Sequence, residues 1–411
     1  MSESRESRLA VVVLNDFCHV QGGASRVAID EAVGIAQSGV DVTFVGAVGP
    51  ISSDLERAPL RTINLGQSPL STLRGNAAIA INGLWNRKSY AAVGEILDSL
   101  DRDETVVHVH GYTKSLSTSV IRCAVDRGFK TLCTLHDFFA ACPTGGFFDF
   151  NTNRICKLRA LSLACVTTNC DKRHYSHKLY RVARSLVQKH LGQFPTEVKE
   201  YIALSRKSAE VLRPYLPADA RMHYLANPNN VARDTPVDVA ANNTIVSIGR
   251  LDNEKGTSLV VDAARRNGMA LTLIGDGPWR VYAEQYEHCR VTGWLTRDQI
   301  AAELRGARCL VFPSLWYETY GLVVEEAAAC GVPSIVSDTC AAAERVQDGV
   351  TGWHFRAGDI DALAEYMNAT RSDEVIRRLG ENAFNEYWKD PPTTKVHTAQ
   401  LIEIYRNLLT Q

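Results

Sequence analysis

Residues 314–333, SLWYETYGLVVEEAAACGVP, put Glu318 in an aromatic loop and Glu326 in the apolar run behind it. The pattern reads as a strand end, a loop, and a helix over GLVVEEAAAC closed by Gly331. The first turn of a helix has free N–H groups and a partial positive charge. Gly321, with no side chain, lets a ligand approach the backbone there, and a diphosphate suits such a place. Carboxylates repel phosphate but accept hydrogen bonds from hydroxyls. The pair Glu318 and Glu326 thus suggests a ligand that is phosphate in the middle and polyhydroxylated at both ends. Two unconnected surface glutamates are the plainer reading of the pair alone.

A second stretch, SIGRLDNEKGTSLVV (247–261), is again strand, loop and helix. Its loop carries Arg250 and Lys255, whose charges can neutralise a leaving diphosphate. Either cation alone would be an ordinary solvated loop residue. A third stretch, QGGASRV (21–27), opens a helix with Gly22 and Gly23, whose bare backbone can approach a phosphate or a sugar. It is equally a tight turn, and no GxGxxG follows a strand, which argues against a nicotinamide dinucleotide site. His136 in TLHD ends another apolar run and is followed by Asp137; the two read as cleft residues or as a capping pair. His108 and His110 of HVHG sit on a neighbouring run and could support the site.

These residues need elements to hold them. LAVVVLN (9–15), VDVTFVGA (40–47), TVVHVH (105–110) and KTLCTLH (130–136) read as buried strands alternating with helices. That alternation implies a parallel sheet covered on both faces. The polar stretch 227–243 lacks an apolar period and reads as a linker. The pattern restarts with TIVSIG (244–249), ALTLIG (270–275), CLVFPS (309–314) and VPSIVS (332–337). Two successive βαβ halves result, with ligands expected at the carboxyl ends of their strands. A chain of 411 residues exceeds one typical core, consistent with two domains. Net charge is −1, which argues against nucleic acid as a partner. The N-terminus has no signal-peptide pattern, and no apolar run is long enough to span a bilayer, so a cytoplasmic location is expected.

Four of the eleven cysteines, Cys142, Cys156, Cys165 and Cys170, fall within 29 residues. Four thiolates can close a zinc site or hold an iron–sulfur cluster. Their intervals of 13, 8 and 4 residues are unlike CxxC knuckles, and reduced buried thiols are the competing reading. The next segment, 171–190, holds six Lys/Arg against one acid. Leu179, Val182, Leu186 and Val187 recur at helical spacing, opposite much of the charge. The pattern fits an ordinary helix with a core stripe, or a basic amphipathic helix resting on an anionic membrane.

Taken together, PSLWYETYGLVVEEAAACGVP, GRLDNEKG, GGASR, the IGDGP turn (274–278) and VTGWLTRDQI (291–300) resemble family 4 of the retaining glycosyltransferases, of GT-B fold. The resemblance is most specific over 244–356 and atypical over 140–190. It implies two Rossmann-like doubly wound domains facing across a cleft. The N-terminal, acceptor-binding domain would span 1–228, with the cysteine-rich insertion at 140–190. The nucleotide-sugar domain would span 229–390, and a C-terminal helix within 391–411 would pack back on the first domain.

The resemblance also implies roles. Arg250 and Lys255 would hold the donor diphosphate, and Glu326 the ribose. Glu318 would hold the donor sugar, with the backbone of Tyr320, Gly321 and Leu322 beside it. Gly22 and Gly23 would pack on the diphosphate from the other domain. His136 would be the active-site histidine, and the base would rest near Val291–Trp294. The implied activity moves a sugar from a UDP- or GDP-sugar to a hydroxyl of a glycan or polyprenyl-linked acceptor, in polysaccharide synthesis at the inner face of a membrane. No cofactor is required for that transfer, and the cysteines leave room for a structural zinc. An inactive nucleotide-sugar-binding partner subunit is the alternative.

Overall fold

The structure, a computed structural model, describes residues 9–72 and 77–410; the N-terminal residues 1–8, read above for a signal peptide, lie outside it. The apolar runs become the central strands of two parallel sheets. The first sheet takes β1 (Ala10–Phe17), β2 (Asp41–Val48), β3 (Arg61–Asn64), β4 (Thr105–Val109) and β5 (Lys130–Thr134). A short hairpin, β6 (Phe148–Asp149) with β7 (Arg154–Ile155), stands apart in the cysteine-rich insertion. β8 (Glu200–Ala203) and β9 (Arg221–Tyr224) complete the first sheet, in the order β3-β2-β1-β4-β5-β8-β9. Val12, Val13 and Leu14 are at most 1% exposed. Each such side chain contributes roughly 1.5–3 kcal/mol on burial, which explains why a strand apolar on both faces sits at the centre.

The second sheet holds β10 (Thr244–Ile248), β11 (Ala270–Ile274), β12 (Cys289–Gly293), β13 (Ala307–Phe312), β14 (Ser334–Ser337) and β15 (Gly352–Phe355). Its order is β12-β11-β10-β13-β14-β15. In each sheet the chain starts in the middle and turns back: β1 lies between β2 and β4, and β10 between β11 and β13. The loops after these strands open the crevice where doubly wound sheets bind ligands. They are the loops that carry Gly22, Gly23, Arg250 and Lys255, while the loop after β13 carries Glu318. The helix Thr394–Leu409 packs on the helix Gly23–Gln37 and on β4, across the first domain.

One helix corrects the sequence reading. In Tyr175–His190, Val182 is buried, but Leu179 and Leu186 are 43% and 44% exposed. Lys178, Ser185 and Gln188 face inward instead. The reason lies in what the helix covers. The irregular stretch 139–144 presents backbone carbonyls that need donors. Gln188 donates to Phe139 O at 3.0 Å, Arg181 to Thr144 O at 3.2 Å and Arg184 to Pro143 O at 3.4 Å. A polar inner face satisfies the loop, and the leucines are left outside.

Candidate active site

The loop after β13 is built around Glu318. Its Oε1 lies 2.5 Å from Lys255 Nζ and accepts from Ser314 Oγ at 2.6 Å and Trp316 Nε1 at 2.8 Å. Burial pushes this carboxyl up, but the Lys255 ammonium and then the Ser314 and Trp316 donors outweigh it, and the net shift is down. Glu318 is therefore a carboxylate, and Lys255 is half-buried directly on it. Gly321 starts the helix Leu322–Cys330 with φ 100°, in left-handed space. A Cβ there would lie 2.5 Å from Ala342 Cβ, so glycine is required twice over. Gly321→Val is expected to destabilise the fold by at least about 2 kcal/mol, read as a fall in the urea midpoint. Gly23→Ala has open space around it and should leave the midpoint unchanged.

Lys255 and Glu318 thus meet at the helix start. Arg250 is less free: its guanidinium pairs with Asp252 and, at 2.6 Å, with Glu254. Lys172 reaches these same acids from the other half, 2.5 Å from Asp252 and 3.2 Å from Glu254. Asp252 and Glu254 lie within GRLDNEKG, but the sequence assigned no role to them or to Lys172. The result is an ionic seam across the crevice that a ligand phosphate would compete for.

The two neighbouring glutamates of the helix diverge. Glu325 turns inward and accepts from Tyr320 Oη at 2.8 Å, with Arg345 Nε at 3.4 Å. Tyr320 is buried with it. Glu326 makes no such bond; burial pushes it up to about 7, with Arg297 opposing and Glu325 adding to the rise. Arg297 in turn lies 3.9 Å from Asp30 on the first helix. Gly275 and Trp294 meet beside Gly249: a Cβ at Gly275 would touch Gly249 O, with Trp294 at 3.6 Å. Trp294 is exposed there.

From the first domain, His136 O accepts from Thr319 Oγ1 at 3.0 Å, tying the β5 loop to the Glu318 loop. Its imidazole is held neutral: loss of solvation, then His110, lower it to about 3, against the pull of Glu31. His108 and His110 lie behind it, and Asp137 caps Phe139 N at 3.0 Å. Gly22 and Gly23 stand exposed with open space around them. The insertion packs on the same loop, with Phe148 and Phe150 edge-on to Trp316.

The four cysteines converge on a lysine. Lys178, fully buried, has Nζ 3.2 Å from Cys170 Sγ and 3.5 Å from Cys165 Sγ. Cys142 and Cys156 are near enough to influence the same groups, and burial raises both Cys156 and Cys170. An ammonium between the thiols takes the place a cation would need. Among the described residues, the one set of three metal-ligating atoms within 4.8 Å of each other is Glu31, His108 and His110, not the cysteines. The thiols in this arrangement do not fit a closed tetrahedral zinc site.

Comparison with known proteins agrees with this geometry. Residues 235–386 match the family "Glycosyl transferases group 1". A phosphatidyl-myo-inositol mannosyltransferase of Mycobacterium leprae is 29% identical over 182 residues, which are 41% of this chain and 47% of that one. A glycogen synthase of Mycobacterium tuberculosis is 33% identical over 141 residues, 31% of this chain and 34% of that one. The match thus spans less than half the length of these relatives. Among solved structures, sucrose-phosphate synthase from Thermosynechococcus elongatus superposes over 98% of this chain and 100% of its own, with TM-score 0.70 and 18% identity. Anabaena Alr3699/HepE in complex with UDP and glucose superposes over 97% of this chain and 100% of its own, with TM-score 0.67 and 16% identity. No helix among the described residues is long and apolar enough to cross a membrane. The fold is GT-B, and residues 235–386 are similar to the group 1 glycosyl transferases.

Proposed function

We propose that the protein moves a sugar from a nucleoside-diphosphate sugar to a hydroxyl of a glycan or lipid-linked acceptor, with retention at the anomeric carbon. The ion pair of Lys255 with Glu318 in the loop before the helix that Gly321 starts, tied to the His136 loop by Thr319, carries this reading. Lys255 and the helix N–H groups stabilise the diphosphate as it leaves. Arg250 joins them once phosphate displaces its pairing with Asp252 and Glu254. Glu318 accepts from the sugar hydroxyls and Glu326 from the ribose. The leaving diphosphate takes the acceptor proton on the same face. A thermal-shift screen of UDP, GDP and their sugars, followed by donor turnover with and without a metal chelator, tests this. One nucleoside diphosphate should raise the midpoint, and chelation should leave turnover intact. Stabilisation by a nicotinamide dinucleotide alone would contradict the reading, and donor binding without turnover would favour an inactive partner subunit.

The outward leucines favour peripheral contact with an anionic membrane. Leu163, Leu179, Leu186 and Leu191 are exposed on or beside one helix, with Arg173 and Lys189 flanking them. Apolar insertion with basic flanks is the pattern of a helix lying in the interface. Leu179→Asp with Leu186→Asp is expected to abolish co-sedimentation with phosphatidylglycerol vesicles at low salt, leaving turnover of a soluble acceptor intact. Equal sedimentation of both proteins would remove the membrane from the account.

A further inference from the structure

Asp252 and Glu254 are two buried carboxylates in the loop after β10, with side chains 3% and 1% exposed. Two cations share them. Arg250 Nε pairs with Asp252 Oδ2, and Arg250 Nη2 lies 2.6 Å from Glu254 Oε1. Lys172 Nζ lies 2.5 Å from Asp252 Oδ1 and 3.2 Å from the same Glu254 oxygen. Each cation therefore bridges both acids, one from the second half of the chain and one from the first. The acids are the fixed members of this square. The carbonyl of Glu254 accepts from Leu315 N at 2.8 Å, which ties their loop to the loop of Glu318. The cations are long side chains, each about half exposed.

The cysteine-rich insertion builds the mount for Lys172. Asp171, 2% exposed, accepts from Arg173 N at 3.0 Å and pairs with Arg181 Nε at 3.0 Å. Cys170, one residue earlier, lies against the buried Lys178. The chain on either side of Lys172 is thus held by the insertion, and the ammonium reaches across the crevice.

Two carboxylates out of water need positive partners, and stripping a buried ion of its partner is strongly destabilising. Arg250 fills that need in the free protein, so it cannot turn to a diphosphate without leaving the acids short of charge. Lys172 changes the balance in two ways. It stays on both acids when Arg250 departs. It also stands on the same Glu254 oxygen as Arg250, and the two like charges weaken each other's hold.

We propose that Lys172 is a positioning residue for the donor site: it neutralises Asp252 and Glu254 from the first half, so that the Arg250 guanidinium can leave them for the donor diphosphate. This rests on the reading of the crevice as a glycosyl-transfer site. It gives the cysteine-rich insertion a part in donor binding, as the mount of a counter-ion. It also makes Arg250 available only while the crevice is shut, because Lys172 comes from the opposite half.

The test is calorimetric titration of UDP and GDP, each against its nucleoside, in a double-mutant cycle. Lys172→Met should weaken diphosphate binding about tenfold with nucleoside binding unchanged, and Lys172→Arg should keep it. Because Lys172 acts through Arg250, Lys172→Met combined with Arg250→Met should bind the diphosphate no more weakly than Arg250→Met alone. Unchanged binding in Lys172→Met, or losses that add in the double variant, overturns the proposal and leaves the functional reading standing. If the double variant fails to fold, Lys172→Met with Asp252→Asn replaces it. Taking away one acid releases Arg250 again and should recover most of the lost affinity; no recovery overturns the proposal. A wild type that binds neither UDP nor GDP would sink the functional reading, and this inference with it.

Discussion

Lys255→Ala is expected to lower kcat about a thousandfold, with a smaller rise in the donor KM. The charge that develops as the sugar bond breaks falls on the diphosphate, and Lys255 is a half-buried cation held on Glu318, in the loop before the helix Leu322–Cys330. A cation in that position costs no reorganisation when the bond breaks. Its loss also leaves Glu318 without its ion-pair partner. Ser314 and Trp316 still donate to that carboxylate, so the fold should survive with a reduced melting temperature. Lys255→Arg should recover part of kcat. Turnover by Lys255→Ala within twofold of wild type would remove Lys255 from leaving-group stabilisation.

Glu326→Gln should weaken donor binding about 10- to 100-fold, the worth of a hydrogen bond to a charged acceptor. The wild type should show a pH dependence that this variant lacks. Glu326 sits at about 7 in the free protein because burial disfavours its charge. Ribose hydroxyls donate to the ionised form, so affinity should rise from about pH 6 to pH 8 and level off above. Stability runs the other way. The folded state keeps a proton that the unfolded chain releases near its ordinary value, so it binds more protons between about 4.5 and 7 and loses stability as pH rises through that window. Glu326→Gln removes that slope and should melt higher than wild type above pH 7. A flat affinity profile in the wild type would place the ribose elsewhere.

The centre of the fold was legible because it is redundant. β1, β4, β10 and β13 are apolar on both faces and need no partner to be recognised. β3, β12 and β15 lie at or near sheet edges, are short, and mix polar with apolar residues, so their runs did not stand out. The pairing of Lys255 with Glu318 was within reach because their loops follow two adjacent strands, β10 and β13. The site was illegible where distant segments meet. Nothing near Lys172 points to Asp252 and Glu254, and nothing near Glu31 points to His397. For the helix Tyr175–His190 the core-stripe reading failed, because it assumes that apolar residues at helical spacing face the core. Here the surface it covers is a carbonyl-rich loop, and polar side chains fit it better.

Calorimetric titration of nucleoside diphosphates against their parent nucleosides tests the central claim most directly. The account predicts that the diphosphate supplies most of the affinity and that Lys255→Ala erases that gain while nucleoside binding stays constant. A nucleoside that binds as tightly as its diphosphate, or a diphosphate gain that survives in Lys255→Ala, would contradict it.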